Sequence, residues 1–204
     1  AFDIRQNEGK QYETTPFERN RAEVKTVVEK LDVTQGKLNM GLRSPVNYAH
    51  PDYAAALMYN GILGGFPHSK LFMNVREKES LAYYAASRLD GHKGILTIQS
   101  GIEIKNYEKA VDIIKQQLES MKNGNISELE MSQTKAMLSN QLREIQDSAF
   151  EITGFDFNQR FAGAESTVQA LIDAIEQVTV DQIKRFAETV ELDTIYFLRD
   201  RKEG

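Results

Sequence analysis

Hydrophobic positions first become periodic at Val24. "VKTVVEKLDV" is rich in β-branched residues, and in "KLNMGLRS" Leu38, Met40 and Leu42 occupy alternate positions. Alternation puts those three on one face of a strand. "TQG" at 34–36 lies between the two runs, so the pattern predicts a hairpin at the start of a sheet. Residues 1–20 carry no such period and read as a linker or extended entry arm.

The period then switches. Asp52 predicts the start of a helix that runs to about Leu63 and stops at Gly64-Gly65, with "GILGG" read as helix termination and a tight turn. Ser69 predicts the cap of a short helix whose Leu71, Phe72 and Val75 share a face. "SLAYYAASRL" and "ILTIQSGIEI" read as strands joined by the turn "DGHKG". Beyond Asn106, Ala110, Val111, Ile114, Leu118 and Met121 trace one helical stripe that ends at Asn123-Gly124. Ser127 with Glu130 has capping-box spacing and opens a long helix toward Ser148. "FEITGFDFNQRF" reads as an interruption, with Gly154 among four phenylalanines. A helix from about Ser166 to Val178 comes next. Thr179 with Gln182 repeats the box and starts a helix to Val190, and "TIYFLRD" closes as a strand. This order lacks regular βα alternation. It predicts an α+β fold, a mostly antiparallel mixed sheet with helices packed on one face, with residues 21–204 as one domain.

Composition narrows the classes. Hydrophobic residues make up 41% of the 204 positions, enough to bury a core. A net charge of −5 argues against a nucleic-acid footprint. Without cysteine there is no disulfide and no thiolate metal site. No apolar run reaches the roughly 20 residues that span a bilayer. No signal peptide is visible, and the expected location is cytoplasmic. The chain opens on Ala1 rather than Met, which fits a piece of a longer protein.

Catalytic motifs are missing. A helical zinc site needs two imidazoles one turn apart with a carboxylate, as in HExxH or HxxEH. His50, His68 and His92 fit neither form and read as loop or capping residues. There is no Gly-x-Ser-x-Gly, and Ser69 beside His68 does not have the geometry of a triad. Acidic pairs such as Glu128/Glu130 read as solvated helix faces. Arg76 and Tyr83 stand out, seven positions apart at the end of a short helix and the start of a strand. A guanidinium and a phenol converging on a cleft bind a peptide carbonyl or a developing oxyanion. The simpler alternative, which spacing alone favours, pairs Arg76 with Glu79 and leaves Tyr83 as a packing residue.

The string around them resembles a known family. Leu63-Gly64-Gly65, Ser69-Lys70-Leu71-Phe72, Arg76-Glu77-Lys78 and Leu81-Ala82-Tyr83 are similar to the corresponding segment of the pitrilysin/insulinase-like zinc peptidases. These are the inverzincins, which include the mitochondrial processing peptidases. The strand–helix–hairpin–helix order extends the resemblance over nearly the whole chain. It implies the zinc-free, C-terminal type of domain, since HxxEH is lacking. In active members such a domain supplies an Arg and a Tyr to the substrate backbone, and Arg76 and Tyr83 fall on those positions. Tyr84 is expected on the opposite sheet face, as packing. The resemblance also implies no cofactor in this chain, with Zn held by a partner domain of the same parent chain or of another subunit. The implied partners are that domain and a peptide, with neither nucleic acid nor membrane. The chain alone would be inactive. A non-catalytic assembly or scaffold subunit is the alternative, and a self-contained peptide-binding module a third possibility.

Overall fold

The computed structural model describes residues 23–201; the expected arm at 1–20 lies outside them. Five strands form one sheet: β1 (Lys25–Leu31), β2 (Gly36–Arg43), β3 (Ala82–Asp90), β4 (Ile95–Ile102) and β5 (Glu191–Asp200). Their order is β1-β5-β2-β4-β3. Only β1 and β5 pair in parallel. Six α-helices are described: α1 (Tyr53–Asn60), α2 (Tyr107–Lys122), α3 (Glu128–Ile145), α4 (Ala149–Phe161), α5 (Val168–Gln177) and α6 (Val180–Thr189). The α+β class with a mixed sheet is as the pattern predicts.

Two expectations fail. The first two strands are not a hairpin, because β5 is inserted between them. The connection from Leu31 to Gly36 therefore crosses two strand spacings, roughly 10 Å. A period of two marks a strand but does not choose its neighbour. The segment read as an interruption is helix α4, capped by the Ser148 hydroxyl, which accepts from the Glu151 N–H at 3.3 Å. A single mid-helix glycine costs only about 1 kcal/mol and does not break a capped helix.

The core lies on one face of the sheet. Leu38, Met40 and Leu42 of β2, Leu96 and Ile98 of β4, and Ile195 and Phe197 of β5 are buried beneath the helices. The predicted stripe of α2 is its buried face, and the helix ends through Gly124 at φ 71°. Such a conformation suits glycine. Both capping boxes form, Ser127 with Glu130 and Thr179 with Gln182. Tyr59 is fully buried, edge-on to Phe186 at 5.0 Å between centroids. Lys37 and Gln99 are exposed, and Asn39 half-buried, on the opposite, open face. β1 and β3 are the edge strands.

Candidate functional site

The segment from Gly61 to Ser87 is built by close packing. α1 continues into a π-helical turn, Gly61–Gly65, and the chain becomes extended at Phe66. The stop after Gly65 is where the sequence places it, but the glycine is needed for another reason. A Cβ on Gly64 would lie 2.5 Å from the Ser87 backbone N and 2.8 Å from both the Leu71 Cδ1 and the Ser87 Oγ. The turn thus rests directly on β3. Ser87 Oγ donates to Asn60 Oδ1 at 2.8 Å, tying the end of α1 to the strand. Asp52 and Ser69 both fail as side-chain caps. Asp52 makes no capping bond, and the buried Ser69 Oγ has no hydrogen-bond partner. Its backbone is used instead: the N–H donates to the Phe66 carbonyl at 3.0 Å, and the carbonyl accepts from the Met73 N–H at 2.9 Å.

Lys70 anchors the turn that leads to Arg76. It is 8% exposed, and its Nζ donates to the Asn125 carbonyl at 2.6 Å and to Glu130 Oε1 at 2.8 Å. Burial alone would raise the Glu130 pKa. The bond from Lys70, the bonds from Ser127 and the Lys70 charge outweigh it and hold this carboxyl below its ordinary value. No catalytic or metal motif includes Lys70. In the sequence it is flagged only by its place in the family-like Ser69–Phe72 string, which assigns it no role.

Arg76 sits on a second π-helical segment, Phe72–Lys78. Its guanidinium stacks on the Phe72 ring, 4.5 Å from the centroid. The expected partner Glu79 is bonded to Lys109 at 2.7 Å instead, and Arg76 has a weaker contact with Glu77 at 3.6 Å. Lys109 holds the Glu79 carboxyl below its ordinary pKa. Ser80, at φ 50°, turns the chain into β3. There a register shift between Ala82 and Tyr84 leaves Tyr83 as the extra residue of a bulge. Tyr83 is 63% exposed on an edge strand. Tyr84 pairs across the ladder with Gly101. Its ring covers that glycine so closely that a Cβ there would lie 2.5 Å from Cε1. It packs on that glycine on the open side of the sheet, still 44% exposed, and the bulge breaks the simple alternation that set Tyr84 opposite Tyr83. β3 and the π segment pack on each other, which brings the backbones carrying Arg76 and Tyr83 together. Among the described residues no hydrogen bond joins the two side chains.

The histidines are apart and separately engaged. His50 Nδ1 accepts from the Asp52 N–H at 3.1 Å. His68 Nε2 lies 2.8 Å from Thr134 Oγ1, and its ring stacks on Phe66. Burial holds the His68 pKa below the ordinary value, with Glu130 opposing. His92 Nε2 lies 2.9 Å from Asn158 Oδ1 on α4. His68 and His92 therefore bridge elements, beyond the loop role expected of them. Among the described residues no group of three His, Asp or Glu side chains gathers to hold a metal ion. None of the described helices is long and apolar enough to cross a membrane.

Residues 3–138 match the family described as the peptidase M16 inactive domain. The chain belongs to that family. This M16 inactive domain is 48% identical over 179 residues to the "Probable inactive metalloprotease YmfF" of Bacillus subtilis, covering 88% of this chain and 42% of that protein. It is 22% identical over 176 residues to the "Uncharacterized zinc protease YmxG" of Bacillus subtilis, covering 85% of this chain and 43% of that protein. A crystal structure of a conserved protein from Enterococcus faecalis superposes with a TM-score of 0.87 at 39% identity, over 92% of this chain and 44% of that one. The chain thus spans less than half the length of these relatives. The zinc of the family's proteases finds no matching donor set among the described residues of this M16 domain.

Proposed function

We propose that this domain is the peptide-binding, zinc-free wall of a zinc endopeptidase, with the metal carried by another family domain in the parent chain or in a partner subunit. One observation carries the reading: Tyr83 is pushed out by a bulge in an edge strand, beside the segment that presents Arg76. The unpaired edge of β3 accepts an extended peptide as an added strand. Arg76, steered by Phe72, donates to a carbonyl of that peptide. The Tyr83 phenol donates to the oxygen that gains negative charge as the peptide bond is attacked. A donor that strengthens its bond only as charge develops lowers the barrier without tightening substrate binding. Tyr83→Phe should therefore reduce kcat, and Arg76→Ala should act on KM as well.

The test is peptide hydrolysis by the parent protein assembled with its zinc-bearing partner. Each variant should lower kcat/KM by about 10²–10³, the usual effect of removing one such donor. Unchanged kcat/KM in both would remove the proposed roles. A second reading, a non-catalytic assembly subunit, is supported by the name of the 48% identical relative, an inactive metalloprotease. It predicts that unchanged result, together with loss of hydrolysis when this domain is withheld from the assembly.

A further inference from the structure

Helix α4 is under-packed for its composition. Gln159 is its only fully buried residue. Phe150, Phe157 and Phe161 are 84%, 62% and 71% exposed. With Gly154 they fall at positions 150, 154, 157 and 161, which is one stripe along a helix. The Phe157 and Phe161 rings stack at 5.8 Å. At these exposures the three rings present roughly 400 Å² of apolar surface, within the size of the largest patch on an ordinary monomer, a patch that is often functional.

Gly154 adds an independent observation. A glycine inside a helix is destabilising relative to alanine. It is tolerated where something must approach the backbone closely, yet a Cβ on Gly154 would meet nothing within 4 Å. Nothing among the described residues asks for it. Beside it opens a cleft of about 320 Å³, lined by Phe150, Gly154, Leu138, Leu142, Tyr48 and Tyr53. Phe150 and Gly154 thus border the cleft, and Phe157 and Phe161 carry the apolar stripe past it, a step-and-ridge surface that suits the side chains of a docking helix.

We infer that the α4 stripe is a docking face for the rest of the parent polypeptide, which seats an apolar helix there with a Leu- or Phe-sized side chain over Gly154. The relatives' lengths argue for this occupant. This chain covers only 42% of the 48% identical relative, so more than half of that polypeptide lies outside the match. A tethered segment also meets the face at high effective concentration, whatever the protein concentration. The inference rests on reading the chain as one part of a longer polypeptide. It does not depend on the roles of Arg76 and Tyr83.

Thiol labelling of the full parent polypeptide tests it. This chain has no cysteine, so Phe157→Cys or Phe161→Cys introduces a thiol unique within it. Maleimide uptake is read by the mass of the α4 peptide, with the exposed Glu128→Cys as reference. Labelling at 157 or 161 should be at least about tenfold slower than at 128 and independent of protein concentration. Adding Gly154→Leu, which fills the step, should restore it. Equal rates at the three positions overturn the inference. So does protection that appears only as concentration rises, which indicates a second copy. Protection lost on deleting residues 1–20 assigns the cover to that segment, and protection indifferent to Gly154→Leu removes the step as the seat; both overturn it. Peptide hydrolysis by the Arg76 and Tyr83 variants reads the functional proposal separately.

Discussion

Gly64→Ala should destabilise the protein well beyond what a surface glycine would. The new Cβ would sit 2.5 Å from the Ser87 N and 2.8 Å from the Leu71 Cδ1. Ordinary contacts between such atoms are near 3.5–4.0 Å, so about an ångström of movement is demanded. One of the atoms is backbone in β3, and it cannot rotate away. Forced overpacking of this kind costs about 1–3 kcal/mol. Separating the π turn from β3 also strains the Ser87–Asn60 hydrogen bond, a further contribution of about 1 kcal/mol. Against these, alanine is preferred over glycine in a helix by about 1 kcal/mol. The net expectation is a loss of about 1–3 kcal/mol. For a chain of this size that lowers Tm by roughly 2–12 °C. Gly65→Ala is the internal control. The three atoms nearest its Cβ would all belong to Asn60, starting at 3.2 Å, so its effect should stay within about 1 kcal/mol. Urea and thermal unfolding of both variants give the comparison. A Gly64→Ala change under about 0.5 kcal/mol, or a larger cost at Gly65, would show that the glycines serve a turn and not helix–strand contact.

Lys70→Met should cost about 2–4 kcal/mol by chemical denaturation, because it strips a half-buried carboxylate and a carbonyl of their donor; a near-neutral result would mean the pair is solvated. The same variant should flatten the acid limb of the stability profile. The Glu130 pKa is held below its unfolded value, so its contribution is complete above the ordinary carboxylate range and is lost as pH falls through the folded value. Wild type should thus lose more stability than Lys70→Met between about pH 6 and pH 3, and parallel profiles would contradict the assignment.

What could be read from sequence was local. The α2 stripe, the two capping boxes and the β3–β4 hairpin are all decided within a few residues by periodicity and turn chemistry, and each forms as expected. What escaped depended on distant neighbours. The insertion of β5 beside β1 is a pairing across more than 160 residues. The need for Gly64 is set by Ser87, and the buried Lys70 finds its carboxylate 60 residues away. α4 was hidden by its own composition, since aromatics around a glycine imitate a loop until the rest of the helix is capped. At the site, the family-like string located Arg76 and Tyr83, but neither the bulge at Tyr83 nor the stacking of Arg76 on Phe72 is written in the spacing.

The central claim, that β3 presents Tyr83 to a bound peptide, is tested most directly by photocrosslinking. Benzoylphenylalanine would replace Tyr83 in the parent protein, assembled with a partner whose zinc ligands are removed so that the peptide is held uncleaved. The exposed Leu129 on α3 is the reference position. The account predicts a crosslink from position 83 to a defined residue of the peptide, competed by unlabelled peptide and absent at position 129. No crosslink at 83, or equal yields at both positions, would contradict it.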